Sequence, residues 1–195
     1  MSKMLLFIIL FLALWSCEGP NEKVIEKPVN YFSKVFGEYD AEMGYSIQET
    51  TDGGFILSGA TSSYWATDSL SRINDIQHGI TNAIIAKVDT VGEPEWIKVF
   101  GGDMFESAFN AGETDDGGYF FAGYTNSIGN GLYDFWLVKL DAFGNMEWEK
   151  TYGTAKADVG LFGEITSDGG YILTGYTILP NKTDKDFWLL KTNAD

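Results

Sequence analysis

The chain is poor in the residues that most often carry chemistry. Among its 195 residues there is one cysteine, Cys17, one histidine, His78, and one arginine, Arg72. A lone thiol excludes any disulfide within the chain. A lone imidazole excludes a His-rich metal site, and no histidine-based triad can be built from this chain alone. No Gly-Lys-Thr or Gly-Lys-Ser phosphate loop is present. Basic residues are few as well: 13 against 28 acidic, a net charge of −15. That balance argues against nucleic acid, whose phosphates need a basic patch, and against electrostatic docking on anionic lipid. It favours solubility and self-repulsion. Prolines number only 4, and no helical periodicity runs beyond residue 30 outside residues 62–81.

Glycine and aromatics are plentiful, with 23 glycines and an aromatic content of 15%. Together they predict many short strands joined by tight turns. One phrase occurs three times, as Thr-x-Asp-Gly-Gly-aromatic, two large apolar residues, a small residue and Gly. The copies begin at Thr50, Thr114 and Thr166. Two other landmarks repeat with it. Ala83–Asp89 returns as Phe135–Asp141 and as Phe187–Asn193, and Glu95–Gly101 returns as Glu147–Gly153 and as Tyr31–Gly37. Lys87, Lys139 and Lys191 are each 52 residues apart, as are Trp96 and Trp148. Asp52 and Asp116 are 64 apart, so the first unit carries a 12-residue insertion between Thr61 and Thr81. Agreement of three landmarks defines a tandem repeat.

Each unit reads as four strands. The Trp-x-Lys-x-aromatic stretch is the first, the second runs up to Thr-x-Asp-Gly-Gly, the third follows it, and the Phe-Trp-Leu-Val-Lys stretch is the fourth. Asp52-Gly53-Gly54, Asp116-Gly117-Gly118 and Asp168-Gly169-Gly170 are structural turns, because aspartate bonds nearby backbone N–H groups and glycine accepts positive φ. Phe135-Trp136-Leu137-Val138 is apolar at every position, which predicts burial on both faces. Sheets stacked face to face meet that demand, as in propeller blades. The expected fold is all-β: three tandem four-stranded repeats forming a propeller-like arc, of about 31–92, 93–144 and 145–195. A closed three-fold β-trefoil or β-prism satisfies the same count of twelve strands. Closed propellers have 4 to 8 blades. Three units therefore assemble as a homo-oligomer that completes a propeller, close as a compact three-fold body, or form part of a longer protein.

The N-terminus predicts an address. Lys3 precedes a 12-residue apolar run, Met4–Trp15. The run falls short of the roughly 20 residues that span a bilayer and suits the core of a signal peptide. Leu14-Trp15-Ser16-Cys17 resembles the lipobox of bacterial lipoproteins, with Trp15 a departure from it. The resemblance implies cleavage before Cys17 and lipidation of that residue; a plain secretory signal is the competing reading. Residues 1–16 are then the signal peptide and residues 17–30 the lipidated cysteine and a polar tether. Cleavage leaves 12 basic against 28 acidic residues, because Lys3 departs with the leader. Glu18 and Glu22 resemble the acidic export signal of Bacteroidetes surface lipoproteins; with the lipobox, the resemblance implies a lipid-anchored place in the bacterial envelope, at the outer membrane or cell surface.

Over residues 31–195, the Asp-Gly-Gly-Tyr, Asp-Phe-Trp-Leu-Val-Lys and Trp-Glu-Lys-Thr-Tyr-Gly phrases resemble the propeller-type repeats of lipid-anchored Bacteroidetes proteins. Thr166-x-Asp168-x-Gly170 also resembles the Asp-box of sialidase propellers, a structural turn in that family. The arginines that grip a sialic acid carboxylate are missing, Arg72 standing alone. No residue is assigned a catalytic role and no cofactor is expected. Calcium is the cation that turn carboxylates and carbonyls would suit. Loops on a rigid scaffold tend to carry function, so Tyr64, Trp65 and His78 in the insertion are the candidate ligand-binding residues, for a glycan or a protein. A self-capping loop is the simpler reading of that segment. Two functions stay open: a non-enzymatic binding lipoprotein, and a glycan-active propeller hydrolase.

Overall fold

The computed structural model describes residues 31–37, 41–62 and 81–194. Their regular structure is eleven antiparallel strands and no helix. The first sheet holds β1 (Glu42–Glu49), β2 (Phe55–Thr61), β3 (Asn82–Val88) and β4 (Pro94–Phe100). The second holds β5 (Glu106–Glu113), β6 (Tyr119–Thr125), β7 (Asp134–Leu140) and β8 (Met146–Tyr152). The third holds β9 (Asp158–Ile165), β10 (Tyr171–Thr177) and β11 (Asp186–Lys191). Each sheet is a meander whose strands neighbour one another in chain order. The described residues form three separate sheets rather than a barrel.

The tight turns explain this grouping. Thr50 and Gly54 close the β1–β2 hairpin through Thr50 N–H to Gly54 O (2.9 Å) and Gly53 N–H to Thr50 O (2.8 Å), with Gly53 at φ +81°. The third sheet uses the same turn, with Gly169 at φ +79°. Asp89–Glu93 repeats the geometry between β3 and β4, and Asp141–Asn145 between β7 and β8. A reversal this tight forces its two strands to pair. The Trp96 stretch therefore closes the first sheet as β4, and the Trp148 stretch closes the second as β8. The sequence reading had each of them open the unit that follows. Residues 31–37, the first copy of that stretch, are not in a strand, so eleven strands form among the described residues where twelve were expected.

The core lies between sheets. Alternate residues of one strand point to opposite faces, and the second sheet uses both. Phe121, Trp136, Val138 and Leu140 meet Ile56, Ala83 and Ile85 of the first sheet. Phe120, Ala122, Phe135 and Leu137 meet Tyr171 and Leu173 of the third. Every residue of β7 is buried, as its unbroken apolar run requires. The rings cross edge to face: Phe121 and Trp136 lie 5.1 Å apart at 86°. Each such side chain contributes about 1.5–3 kcal/mol by leaving water.

The opening strand of each sheet carries a bulge, with the register shifting at Gly44/Ser46, at Ala108/Asn110 and opposite Thr174/Gly175. Gly59, Gly123 and Gly175, which end the repeated phrase, lie against these bulges. A Cβ there would collide with the carbonyl oxygens of Met43, Ser107 and Val159 respectively. Consecutive opening strands are also tied together. Ala111 N–H donates to Ser46 Oγ (3.2 Å) and Gly163 N–H donates to Asn110 Oδ1 (3.0 Å). Glu106 N–H donates to Thr81 O (2.8 Å), and Asp158 N–H to Tyr133 O (2.7 Å).

Candidate functional site

The repeated aspartates bind the fold's own lysines. Asp52 Oδ1 accepts from the Thr50 hydroxyl (2.6 Å) and Gly54 N–H (2.9 Å), and Oδ2 accepts from Lys87 Nζ (2.8 Å). Lys87 is 1% exposed and also donates to Glu95 (3.1 Å) and Val88 O (3.1 Å). The second sheet repeats this with Thr114, Gly118 N–H and Lys139 around Asp116, Lys139 donating also to Glu147 (2.9 Å) and Leu140 O (3.0 Å). The third repeats it with Thr166, Gly170 N–H and Lys191 around Asp168. In each copy the second glycine leaves no room for a Cβ beside a backbone carbonyl and the lysine Nζ.

These bonds set the ionisation. The Lys87 ammonium, then the Thr50 hydroxyl and Gly54 N–H, hold the Asp52 carboxyl well below the usual carboxylate range. The Thr114 hydroxyl, with Lys139 and Gly118 N–H, lowers Asp116 to about 2. Asp168 is lowered by Thr166 and then Lys191. Burial draws the Lys87 and Lys139 ammonium groups down, and their paired carboxylates more than reverse it, so both end above the ordinary lysine value. A permanently ionised carboxylate already bonded to an ammonium is a poor general acid or base, because catalysis needs a proton affinity near the working pH. For a cation to bind there, the lysine would have to be displaced.

A second group of acids lies where the sheets join. Glu106, fully buried, accepts Gly102 N–H (2.9 Å), the Thr125 hydroxyl (3.0 Å) and Ser127 N–H (3.1 Å). Asp158 stands at the same repeat position in the third sheet and is fully buried too. Its Oδ2 accepts Thr154 N–H (2.6 Å), while Oδ1 has no partner. Asp134, buried beside it, accepts Asn130 N–H on Oδ2 (2.6 Å) and likewise leaves Oδ1 without one. A Cβ on Gly153 would collide with Asp134 Oδ1 and lie 3.1 Å from Asp158 Oδ2, so the two carboxylates face one another across this glycine. Burial, and then the charge of Asp158, push the Asp134 carboxyl up. At the joint of the first and second sheets Asn82 takes the place of Asp134, its amide and the Glu106 carboxylate both lying against Gly101. No group of three or more His, Cys, Asp or Glu side chains suited to a metal occurs among the described residues.

The bulges raise a row of rings. Tyr45 and Phe109, the bulged residues of β1 and β5, are 4.8 Å apart. Phe109 lies 5.8 Å from Tyr124, which lies 5.0 Å from Tyr133. All four stay partly open to solvent. Elsewhere, a shallow depression of about 230 Å³ between the first two sheets is lined by Phe100, Thr125, Trp136 and Glu149 among others. Glu149 is its one acidic residue, and it accepts the Trp136 indole N–H (2.8 Å). The two-carboxylate geometry of glycoside hydrolysis, about 5–9.5 Å apart across a cleft, is not assembled in it.

Asp52, Gly53, Gly54, Asp116, Gly117, Gly118, Asp168, Gly169 and Gly170 all sit in their hairpins. Cys17, Tyr64, Trp65 and His78 lie outside the described residues. Sequence reasoning missed the lysine that each turn aspartate binds, although its 52-residue recurrence was the available signal. It also missed the aromatic row, because a one-residue bulge leaves no mark in the apolar pattern. No protein-family model matches the chain, and no curated protein matches it in a sequence comparison.

Proposed function

We propose that this protein is a lipoprotein of the bacterial envelope, anchored through Cys17 at the outer membrane or cell surface, whose propeller-like sheets present a non-enzymatic binding surface. The observation that carries the non-enzymatic reading is the commitment of Asp52, Asp116 and Asp168, the carboxylates of the repeated phrase, each to a lysine and a turn. What varies between the sheets is the surface, not that machinery. The row Tyr45, Phe109, Tyr124 and Tyr133 offers adjoining half-open ring faces, and aromatic faces of this kind suit the apolar faces of sugars. A glycan is the favoured ligand, with Tyr64, Trp65 and His78 of the insertion as further candidate contacts. The propeller-like reading is supported by the doubly buried β7 and by the stacking of the second sheet between its neighbours.

The test is a glycan array probed with the protein and with its Phe109→Ala and Trp65→Ala variants. Binding weakened at least tenfold by Phe109→Ala supports the aromatic row. Binding lost only with Trp65→Ala moves the site to the insertion. Turnover of a glycoside panel by the purified protein would overturn the non-enzymatic reading. Labelling with a palmitate analogue, abolished by Cys17→Ala, tests the anchor.

A further inference from the structure

The repeat leaves two loose ends that match each other. Among the described residues the third sheet stops at β11, with no strand in the place that β4 and β8 fill in the other two. The stretch whose sequence matches β4 and β8, Phe32–Gly37, pairs with no strand among the described residues. It is nevertheless set down against the first sheet as β4 is set against the second. Phe32 lies 6.3 Å from Phe55, as Trp96 lies 5.4 Å from Tyr119 and Trp148 lies 5.8 Å from Tyr171. A Cβ on Gly92 would lie 2.5 Å from the Phe32 ring, and one on Gly144 would lie 2.8 Å from the Trp96 ring. Lys34 pairs with Glu93 where Lys98 reaches Asn145. Gly37 and Gly101 share an unusual backbone, φ +155° and +157°, and face Glu42 and Glu106 in turn. Phe32–Gly37 thus holds the position of the outer strand of a sheet preceding the first.

The faces match as well. Phe187 and Leu189 of β11 are 79% and 58% exposed, whereas their counterparts Phe135 and Leu137 are fully buried against the third sheet. At the other end Ile47 of β1 is 63% exposed, whereas its counterpart Ala111 is buried against the first sheet. Each exposed face corresponds to one half of a joint that already exists twice within the chain.

We propose that a second copy of this chain completes both ends. Phe32–Gly37 of each copy adds antiparallel to β11 of the other as the fourth strand of its third sheet, and that sheet packs on the first sheet of the other copy. An exposed edge strand is a ready template for such addition. The register follows from β7 and β8, where Leu137 pairs with Lys150 and Phe135 with Tyr152. Leu189 therefore pairs with Lys34, and Phe187 with Phe36. Phe162 stands where Ser46 and Asn110 accept a backbone N–H, so this joint exchanges one hydrogen bond for apolar contact. Two joints and the three described sheets of each copy give a six-sheet ring, the one multiple of three within the 4–8 blades of closed propellers. The ring rests on the propeller-like arrangement proposed above; the strand addition does not.

The experiment uses the full chain, co-expressed as two differently tagged copies in a bacterial envelope. One carries Lys34→Cys and the other Leu189→Cys, both at solvent-accessible positions. Oxidation is expected to link the two tags, while the pair Lys34→Cys with Phe143→Cys, a turn residue, stays unlinked. A chain with both cysteines is expected to stop at a covalent dimer. A ladder beyond the dimer would overturn the ring, and a disulfide within one chain would overturn the second copy as occupant. No link, or a link no stronger than the Phe143 control, overturns the joint. As a second readout, the detergent-purified protein is expected to have the mass of two chains, and Phe187→Asp that of one with its thermal transition retained. A wild-type mass of one chain at tens of micromolar would likewise overturn the proposal.

Discussion

Asp134→Asn is expected to stabilise the protein at neutral pH. Asp134 is 1% exposed, and one of its oxygens has no hydrogen-bond partner. Its neighbour Asp158 is fully buried with the same defect. Holding two such carboxylates ionised incurs desolvation and repulsion together. Asparagine keeps an oxygen for the Asn130 N–H and turns the orphan position into a donor aimed toward Asp158. The first joint already carries an asparagine at this position, with Asn82 where the second has Asp134. An unsatisfied buried polar group costs about 1–3 kcal/mol, so the gain is set at about 1–3 kcal/mol. For a domain of this size that raises the melting temperature by about 2–4 °C per kcal/mol. The sign with pH follows from the raised Asp134 pKa. Below the unfolded carboxyl value Asp134 is protonated in both states and incurs no such cost. As pH rises through the higher folded value, stability falls, and it stays lower above it. The advantage of asparagine should therefore be larger at pH 7 than near pH 3.5, below the ordinary carboxyl value. Thermal or urea unfolding at both pH values measures it. A variant less stable at pH 7, or one with the same advantage at both, refutes the reasoning; destabilisation reversed by added calcium would place a cation between the two carboxylates.

The other expectations are simpler. Gly117→Ala should cost about 1–2 kcal/mol, because its φ of +81° is left-handed while nothing lies within 4 Å of the new Cβ. Gly118→Ala should cost clearly more in the same urea titration, because its Cβ strikes the Leu140 carbonyl oxygen. Phe121→Ala removes a fully buried ring lying against Trp136 and Phe100 and should cost about 3–5 kcal/mol. Asp116→Asn should flatten acid unfolding. The low Asp116 pKa contributes stability above the ordinary carboxyl value, and that contribution is lost as pH falls toward about 2. Because the Asp116 side chain is 60% exposed, solvent screening holds the effect to under about 1 kcal/mol.

The repeat was legible because each landmark answers a strict demand. Gly53 and Gly117 need positive φ, Gly54 and Gly118 need the absence of a Cβ, and Gly59 and Gly123 face a bulge. The doubly buried third strand was legible because β7 has no polar residue between Phe135 and Val138. The phase of the repeat was not legible. A cyclic pattern shows its period but not which strand opens a sheet, and glycines mark both the hairpin at Gly92 and the crossover at Gly101. The buried acids were equally hidden. Glu106, Asp134 and Asp158 are three among 28 acidic residues, and only the sheet joints set them apart.

The offset between repeat and sheet has a consequence for how such a chain can grow. Each 52-residue sequence unit ends in one sheet and begins in another, since β4 and β8 close the sheet before the phrase that follows them. Copying one unit in tandem therefore inserts no freestanding sheet. It inserts the closing strand of one sheet together with the opening three of the next. Every new segment arrives already stitched to its predecessor, and its own last edge reproduces the one it displaced. Lengthening by whole units then preserves both the inter-sheet packing and the character of the terminal edge, whatever the final number of sheets.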